Sequence, residues 1–419
     1  MNLLPGSKGW IKKYFDLVSR GKIDTSVSIP EKLDQESFIY GALGKTGITF
    51  GYPSSLLFAN EINDLRWTSE EKLKLLLFEA HLFVFKILKK EEEFNLQHFT
   101  EEMVTFYGQH NAYSISKLFT FFLKETQEEK LEDILSKRVD IRLNLLESKF
   151  WINYVSNAFI YLDVILFHQY LSDKKNTIYQ YDELAMNALT AITLASYSDG
   201  LIEEKERSIF KMFLVSANLS DAHRSLAESR FENGGTFSDF NSQIKKNQLG
   251  KRFLLDLSAF IIFSNHDAVS EEMQYLKALC DYLGFGEKEL NESLASTEQF
   301  IINNHEKIPF LASSSSIEKV YGSLSKRWIK ILGRNRDKLA IELKQSKELV
   351  FLIKKSATKE LTKKEKEKVK EQFKDIVKTM PSLAIFLLPG GAFLLPLVLK
   401  VIPDLVPSAF RDNELEKME

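Results

Sequence analysis

The 419-residue chain has a single cysteine, Cys280, which excludes an internal disulfide and fits a reducing compartment. Cys280 lies in an apolar stretch of helical period, which favours a core position over a reactive thiol. An excess of one charge is also absent, because 56 Lys and Arg stand against 58 Asp and Glu. This balance argues against a DNA partner, and a contact with RNA would need a local basic patch.

Recognisable catalytic motifs are also missing. The seven histidines are scattered and none has metal-ligand spacing with Cys280, and no Ser or Cys lies in a nucleophile elbow. Gly44-Lys45-Thr46 resembles part of a phosphate-binding loop, but Ile39 stands where such a loop needs glycine, and no strand precedes it. We therefore predict that the chain is not an enzyme and holds no organic cofactor.

The apolar residues recur at helical spacing, which predicts an all-α fold of several helical bundles. We predict a helix over Pro5–Arg20 that stops at Gly21, and a central helix that begins with the capping-box pattern at Thr68. The apolar run before Pro5 is too short for the core of a signal peptide, so we expect the bulk of the chain in the cytoplasm.

A second apolar helix is predicted over residues 150–170, where Asp163 and His168 favour a bundle core over a membrane span. The domains that we predict follow one another along the chain. They are an N-terminal helical domain at 1–130, connecting helices at 131–180, a repeated helical domain at 184–304, a basic connector at 310–350 and a membrane segment at 356–410.

The domain at 184–304 contains an internal repeat. A helix over 184–198 ends at Asp199, a helix over 253–264 ends near Asp267, and an acidic helix start follows each of them. Two similar helical hairpins packed face to face would bury their apolar stripes. The acidic residues have two interpretations, helix capping or a divalent-cation site. The candidate ligands are Asp199, Glu203, Glu206, Asp267, Glu271 and Glu272.

These residues resemble the TerB-like helical domains of tellurite resistance, whose signature is a helix that closes on an Asp-Gly turn and an acidic helix start. The resemblance implies a link to stress responses and, for some members, an acidic cation-binding surface. The second half departs from the pattern because Ala268 replaces the glycine and Gln274 stands where Glu206 would recur. These two differences argue against a metal site to which both halves of the repeat contribute equally.

Five of the nine prolines lie within 27 residues near the C-terminus, around an uncharged stretch over 381–399. At about 1.5 Å per residue this stretch can cross most of a hydrocarbon layer of about 30 Å, and membrane helices tolerate proline. We predict one proline-kinked transmembrane segment. Its marker residues are Pro381, Pro389, Gly390, Gly391, Pro396, Pro403 and Pro407.

Topology follows from the charges that flank this segment. Ten lysines lie between residues 354 and 378, whereas Lys400, Arg411 and Lys417 follow, so the N-terminal side should stay in the cytoplasm. The lysines would also attract anionic lipid headgroups. A re-entrant hairpin that turns at Gly390-Gly391 and a hairpin buried in protein are the rival topologies.

The same stretch resembles the Letm-type family of mitochondrial inner-membrane proteins. The residues that carry this resemblance are Leu361-Thr362, Asp375, Met380-Pro381, Leu388-Pro389, Leu394-Leu-Pro396, Lys400 and Ile402-Pro-Asp-Leu-Val-Pro-Ser-Ala-Phe410. The order of a TerB-like domain and then this segment looks like bacterial Letm-related proteins with a biofilm-associated label. The resemblance implies membrane residence, with cation exchange or ribosome contact as further activities.

Two departures argue against ion transport by this chain alone. Ala392 stands where the family's segment carries an acidic residue, so the membrane carboxylate of a cation path is missing. The soluble ribosome-contacting domain of the family is also expected to be absent, because nine residues follow Phe410.

The connector at 310–350 carries a serine run over 313–316 and a basic helix that includes Trp328. A solvated helix face and a contact with the phosphates of lipid or RNA are both open for this helix. Its basic residues are Lys326, Arg327, Lys330, Arg334, Arg336 and Lys338.

The leading hypothesis is a membrane-anchored, cytoplasm-facing helical scaffold or adaptor at a bacterial inner membrane, tied to envelope stress or biofilm physiology. It implies membrane lipid and a protein as partners. The alternative is a Letm-type component for cation transport, where a homo-oligomer would line the pathway, or for ribosome binding.

Overall fold

A computed structural model gives the fold of the chain. The residues that it describes are 3–31, 33–62, 64, 67–89, 94–109, 126–139, 157–172, 181–200, 202–265, 270–308, 325, 328–329, 332–379 and 395–402. The secondary structure of these residues is helical, with no strand among them, which confirms the predicted all-α class for this part of the chain.

The chain forms two compact units. Unit 1 comprises residues 1–29, 34–290 and 307–310, and unit 2 comprises residues 30–33, 291–306 and 311–419. Unit 1 takes in the predicted N-terminal domain, the connecting helices and most of the repeated domain. A compact unit need not coincide with an evolutionary domain, so the domain boundaries drawn from the sequence stay predictions.

Helices are numbered here in chain order. Those that begin in unit 1 are α1 (Trp10–Ser19), α2 (Gln35–Gly44), α3 (Ser69–Lys89), α4 (Leu96–Gln109), α5 (Gln127–Val139), α6 (Tyr161–Ser172), α7 (Tyr181–Ser196), α8 (Glu204–Ser216), α9 (Asp221–Asn233), α10 (Gln248–Asn265), α11 (Ser270–Tyr282) and α12 (Glu287–Asn304). Short 3-10 helices lie at Ile48–Phe50, Phe237–Asp239 and Ser242–Lys246. Unit 2 also contains α13 (Arg336–Gln345), α14 (Lys347–Thr358), α15 (Lys363–Thr379) and α16 (Leu395–Val401).

Helix α3 forms the centre of the N-terminal half of unit 1, as its apolar run predicted. The capping box at its start is present, because Thr68 N donates to Glu71 Oε2 at 2.8 Å and Glu71 N donates to Thr68 Oγ1 at 3.1 Å. Helices α2, α4, α5 and α6 pack around it, and nearly all of its residues from Leu73 to Ile87 are buried.

Helix α1 begins at Trp10, later than predicted, and its stop at Gly21 is confirmed by the positive φ of 65° at that glycine. The late start has a physical cause in a distant carboxylate. Glu132 on α5 accepts hydrogen bonds from Gly9 N at 2.8 Å and from Ile11 N at 2.9 Å, so it satisfies two donors of the first turn.

Gly51 shows why the glycine-rich segment matters to packing. Its φ is +67°, and a Cβ there would lie 2.3 Å from the carbonyl oxygen of Asn157. Glycine at position 51 therefore allows the backbone of this segment to approach the backbone at Asn157 closely. At Gly44-Lys45-Thr46, α2 ends at Gly44 and Thr46 is buried with its hydroxyl donated to Leu43 O, which argues further against a phosphate-binding loop.

The repeated hairpins lie together in unit 1. Helices α7 and α10 pack against each other, α8 packs on both of them, and α11 does the same. Phe210, Phe213, Leu276 and Leu279 from the predicted stripes are buried. The predicted packing of two hairpins is confirmed for these residues.

Candidate functional site

In the described part of unit 2, helices α14 and α15 form a strongly charged exposed region. Residues 347–379 carry eleven lysines and six acidic residues. Exposed lysines line the turn and the first half of α15. They are Lys359, Lys363, Lys364, Lys366, Lys368 and Lys370. We call this group the lysine face.

An apolar core orients the lysine face outward. Val369, Phe373 and Ile376 recur at spacings of four and three on α15 and are buried. They join a hydrophobic cluster with Leu349 and Leu352 of α14. Because one side of α15 is fixed to this cluster, Lys366, Lys368 and Lys370 face solvent.

A capping box fixes the start of α15. Thr362 N donates to Glu365 Oε2 at 2.9 Å, and Glu365 N lies 3.4 Å from Thr362 Oγ1. Lys355 Nζ donates to Glu365 Oε1 at 2.6 Å and, with the Thr362 bonds, lowers the pKa of Glu365 to about 2. This carboxylate is therefore ionised at neutral pH and ties α14 to α15.

Several acidic residues of the region are engaged by lysines. Lys368 Nζ donates to Glu348 Oε1 at 2.6 Å, and Lys366 Nζ donates to Glu360 Oε1 at 2.7 Å. These contacts are exposed and lower the pKa of both carboxyl groups. These acidic residues thus partly neutralise the positive charge of the lysine face.

Most of the predicted membrane segment lies outside the described residues. This holds for Pro381, Pro389, Gly390 and Gly391, and Pro403 and Pro407 also lie outside. Within the described part of the chain, no helix combines the length and the apolar character needed to cross a membrane. The span and its topology stay predictions.

The end of that segment is described, and it contacts protein. Pro396 lies in α16, where Leu395, Leu397 and Val398 are buried in the cluster that also holds Leu349 of α14. Helices α14 and α16 pack directly on one another. The last residues of the predicted span therefore belong to the core of unit 2.

The acidic turns of the repeat were the predicted metal site. Glu203 N donates to Glu206 Oε2 at 2.9 Å in a capping box at the start of α8, and Gly200 has φ +86°. This geometry supports the capping interpretation. Burial first, and then the charges of Asp199, Glu203 and Glu272, raise the pKa of Glu206 to about 7.

The second half of the repeat adds less to this cluster. Glu272 is buried and acts electrostatically on Glu206, whereas the exposed Glu271 accepts a hydrogen bond from Ser270 Oγ at 2.6 Å. Asp267 lies outside the described residues. In the described part of the chain, no group of three or more His, Cys, Asp or Glu side chains could hold a metal ion. The cation site stays a prediction.

The basic connector is described in part. Trp328 is fully buried, whereas Arg334, Arg336 and Lys338 are exposed. Lys326, Arg327 and Lys330 lie outside the described residues, and so does the serine run over 313–316.

A buried polar centre in unit 1 was not predicted as a unit. Arg138 of α5 forms a two-pronged ion pair with Asp163 of α6, in which Nε donates to Oδ2 at 2.6 Å and Nη2 donates to Oδ1. Tyr107 OH also donates to Asp163 Oδ2 at 3.0 Å. The bundle-core interpretation of this helix is therefore confirmed over α6, where His168 is also buried and burial lowers its pKa to about 4.

Comparison with known proteins places the lysine face in a family context. Residues 361–419 match the family model described as "LETM1-like, RBD". The chain is also 31% identical over 122 residues to the "LETM1 domain-containing protein YLH47, mitochondrial" of Saccharomyces cerevisiae. That match covers 28% of this chain and 24% of the relative. No solved structure matches.

The C-terminal segment is thus related to the Letm-type family, which confirms that part of the predicted resemblance. The matched residues include the proline-rich segment, and the expectation that the soluble ribosome-contacting domain is absent stays a prediction. The TerB-like resemblance, the bacterial source and the biofilm label stay predictions.

Proposed function

We propose that this chain is a membrane-associated helical scaffold whose C-terminal unit contacts ribosomes through the lysine face. The observation that carries the proposal is the overlap of this face with the segment that matches the LETM1-like, RBD model. Membrane association rests on the uncharged stretch over 381–399 and on the Letm-type resemblance of that segment.

Charge and folding requirements both favour a phosphate-bearing partner at the lysine face. Lys363 and Lys364 occupy the first turn of α15, where the helix dipole disfavours positive charge. Local folding therefore gives no reason for two lysines at this place. Ribosomal RNA offers a dense array of phosphates, and lysine binds phosphate as a point charge.

The proposal is tested by co-sedimentation of the full-length, detergent-solubilised chain with ribosomes over a salt series. Replacing Lys359, Lys363 and Lys364 by glutamine should weaken binding. It should also reduce the magnitude of the slope of log affinity against log salt concentration by about 2–3, since each lost phosphate contact removes about one from that slope.

A matched control replaces Lys12, Lys22 and Lys211 by glutamine, since these lysines are also exposed but belong to unit 1. The control should bind as the unmodified chain does. Equal losses in both triple variants would mean that net charge alone drives the association. An unchanged salt slope in the lysine-face variant would refute the proposal.

A further inference from the structure

Two large apolar side chains of unit 2 are unusually exposed. Ile341 on α13 is 61% exposed and Phe351 on α14 is 62% exposed, the highest values among the large hydrophobic residues in the described part of the chain. We call them the anchor pair. Neither belongs to the buried cluster that holds Leu339, Leu343 and Leu352 on the same two helices.

Phe351 lies at the middle of the outward side of α14. Leu349, Leu352 and Ile353 are buried on the opposite side of the helix. At 100° per residue, the side chains that share the outward stripe with Phe351 are Lys347 and Glu348, one turn before, and Lys354 and Lys355, one turn after. A single aromatic ring is thus bracketed by two lysines.

Helix α13 repeats this arrangement. Leu339 and Leu343 are buried, and Ile341 lies on the other side of the helix. Lys338 and Lys344 stand three residues before and after Ile341 and are exposed, and Asp337 is the exposed acidic residue of the first turn. Two consecutive helices therefore each expose one apolar residue between two lysines.

Two acidic side chains near the stripe of Phe351 are each held by a lysine. Glu348 of α14 is held by Lys368 at 2.6 Å, and Glu365 is held by Lys355 at 2.6 Å. The stripe that contains Phe351 consequently keeps a positive charge. Its chemistry combines an apolar anchor with flexible cations.

We propose that the anchor pair, together with Lys344, Lys347 and Lys354, docks unit 2 on an anionic lipid surface. Interfacial helices bind in this way, with apolar side chains at the boundary of the acyl chains and lysines on the headgroups. Lysine stems reach the headgroup level while the anchors lie deeper. This contact uses different residues from the lysine face and does not need a membrane span.

Two other classes of partner fit these residues less well. Single-stranded nucleic acid stacks its bases on aromatic rings, and Ile341 has no ring to offer. Protein interfaces are depleted in lysine at their cores, whereas each anchor here has lysine on both sides along its helix. A negatively charged lipid surface can accommodate both an anchor without an aromatic ring and the lysines beside each anchor.

The test measures binding of the full-length, detergent-purified chain to preformed vesicles of phosphatidylcholine with or without phosphatidylserine. Anionic vesicles should be preferred, and salt should weaken this preference. The I341S/F351S variant should lose about tenfold in affinity for the anionic vesicles, because two apolar side chains no longer leave water. The L226S variant is the matched control, since Leu226 is 44% exposed on α9 of unit 1, and it should bind unchanged.

A nitroxide attached at a cysteine in place of Phe351 separates this contact from insertion of another segment. On anionic vesicles its collisions with oxygen should rise and its collisions with a water-soluble nickel complex should fall, whereas a label in place of Lys211 should not change. A label at 351 that stays in water on bound vesicles would overturn the proposal. So would an I341S/F351S variant that keeps vesicle binding but loses ribosome co-sedimentation, since that result would assign the anchor pair to the ribosome.

Discussion

At the residue scale, the buried ionisable groups of unit 1 show how tertiary packing decides chemistry. Glu206 combines a capping role with a crowded environment of three carboxylates, and burial is the largest contribution to its raised pKa. The sequence showed these acids as a set, but it could not show that Glu206 is only 4% exposed. Burial depends on where α10 and α11 pack.

Glu206→Gln should remove a pH dependence of stability. The folded pKa of Glu206, about 7, lies above its usual value of 4.5, so the folded state binds more protons and loses stability as pH rises from about 4.5 to 7. Glutamine keeps an oxygen for Glu203 N and carries no charge. The variant should gain about 1–3 kcal/mol relative to the unmodified chain between pH 4.5 and 8, measured by urea unfolding.

Two observations would contradict this account of Glu206. A constant difference between the two proteins across that pH range would mean that the carboxyl group titrates normally. A rise in melting temperature with calcium at pH 7.5 that is lost in Glu206→Gln would instead favour the cation interpretation of the acidic turns.

Asp163→Asn should destabilise unit 1 by about 3–5 kcal/mol, because the buried Arg138 guanidinium would lose its counter-charge. The comparison variant is Asp182→Asn, which breaks the Asp182–His223 contact, where the two side chains are 39% and 43% exposed. Loss of that exposed pair should cost at most about 1 kcal/mol. Urea unfolding followed by circular dichroism measures both, and similar costs would show that the buried pair has no special weight.

At the element scale, helix starts and stops were the best predicted features. Thr68 and Gly21 act on residues next to them in the chain, so a short stretch of sequence contains all the residues that decide these helix ends. The late start of α1 could not be predicted in this way, because its capping carboxylate, Glu132, lies more than a hundred residues away. The exposure of Phe351 has a signal in the sequence, since Leu349, Leu352 and Ile353 define the opposite side of α14.

The first turn of α15 should reveal a conflict between stability and binding. Lys363→Glu with Lys364→Glu places two negative charges at a helix N-terminus, which should raise the melting temperature by about 1–3 °C. The same change should abolish ribosome co-sedimentation. Circular dichroism melting and the sedimentation assay check both halves, and a variant that is less stable, or that still binds, would remove the argument that these lysines serve binding.

At the scale of the whole molecule, the sequence predicted the helical class and the C-terminal family, whereas the packing of α16 was not predicted. Leu395–Leu399 looked like the end of an uncharged span, yet Leu395 and Val398 are fully buried beside α14. Hydropathy alone cannot tell hydrocarbon from a protein core, because both exclude water. The lysine face and the anchor pair depend on this packing, since it decides which sides of α14 and α15 remain outside.

The most direct test of ribosome contact is site-specific photo-crosslinking in cells, with a photoreactive amino acid in place of Lys364 or, as control, Lys211. We predict that the probe at 364 crosslinks to ribosomal RNA or ribosomal protein and that the probe at 211 does not. Crosslinks at 364 to other proteins alone, or equal ribosomal crosslinking from both positions, would contradict the proposed function.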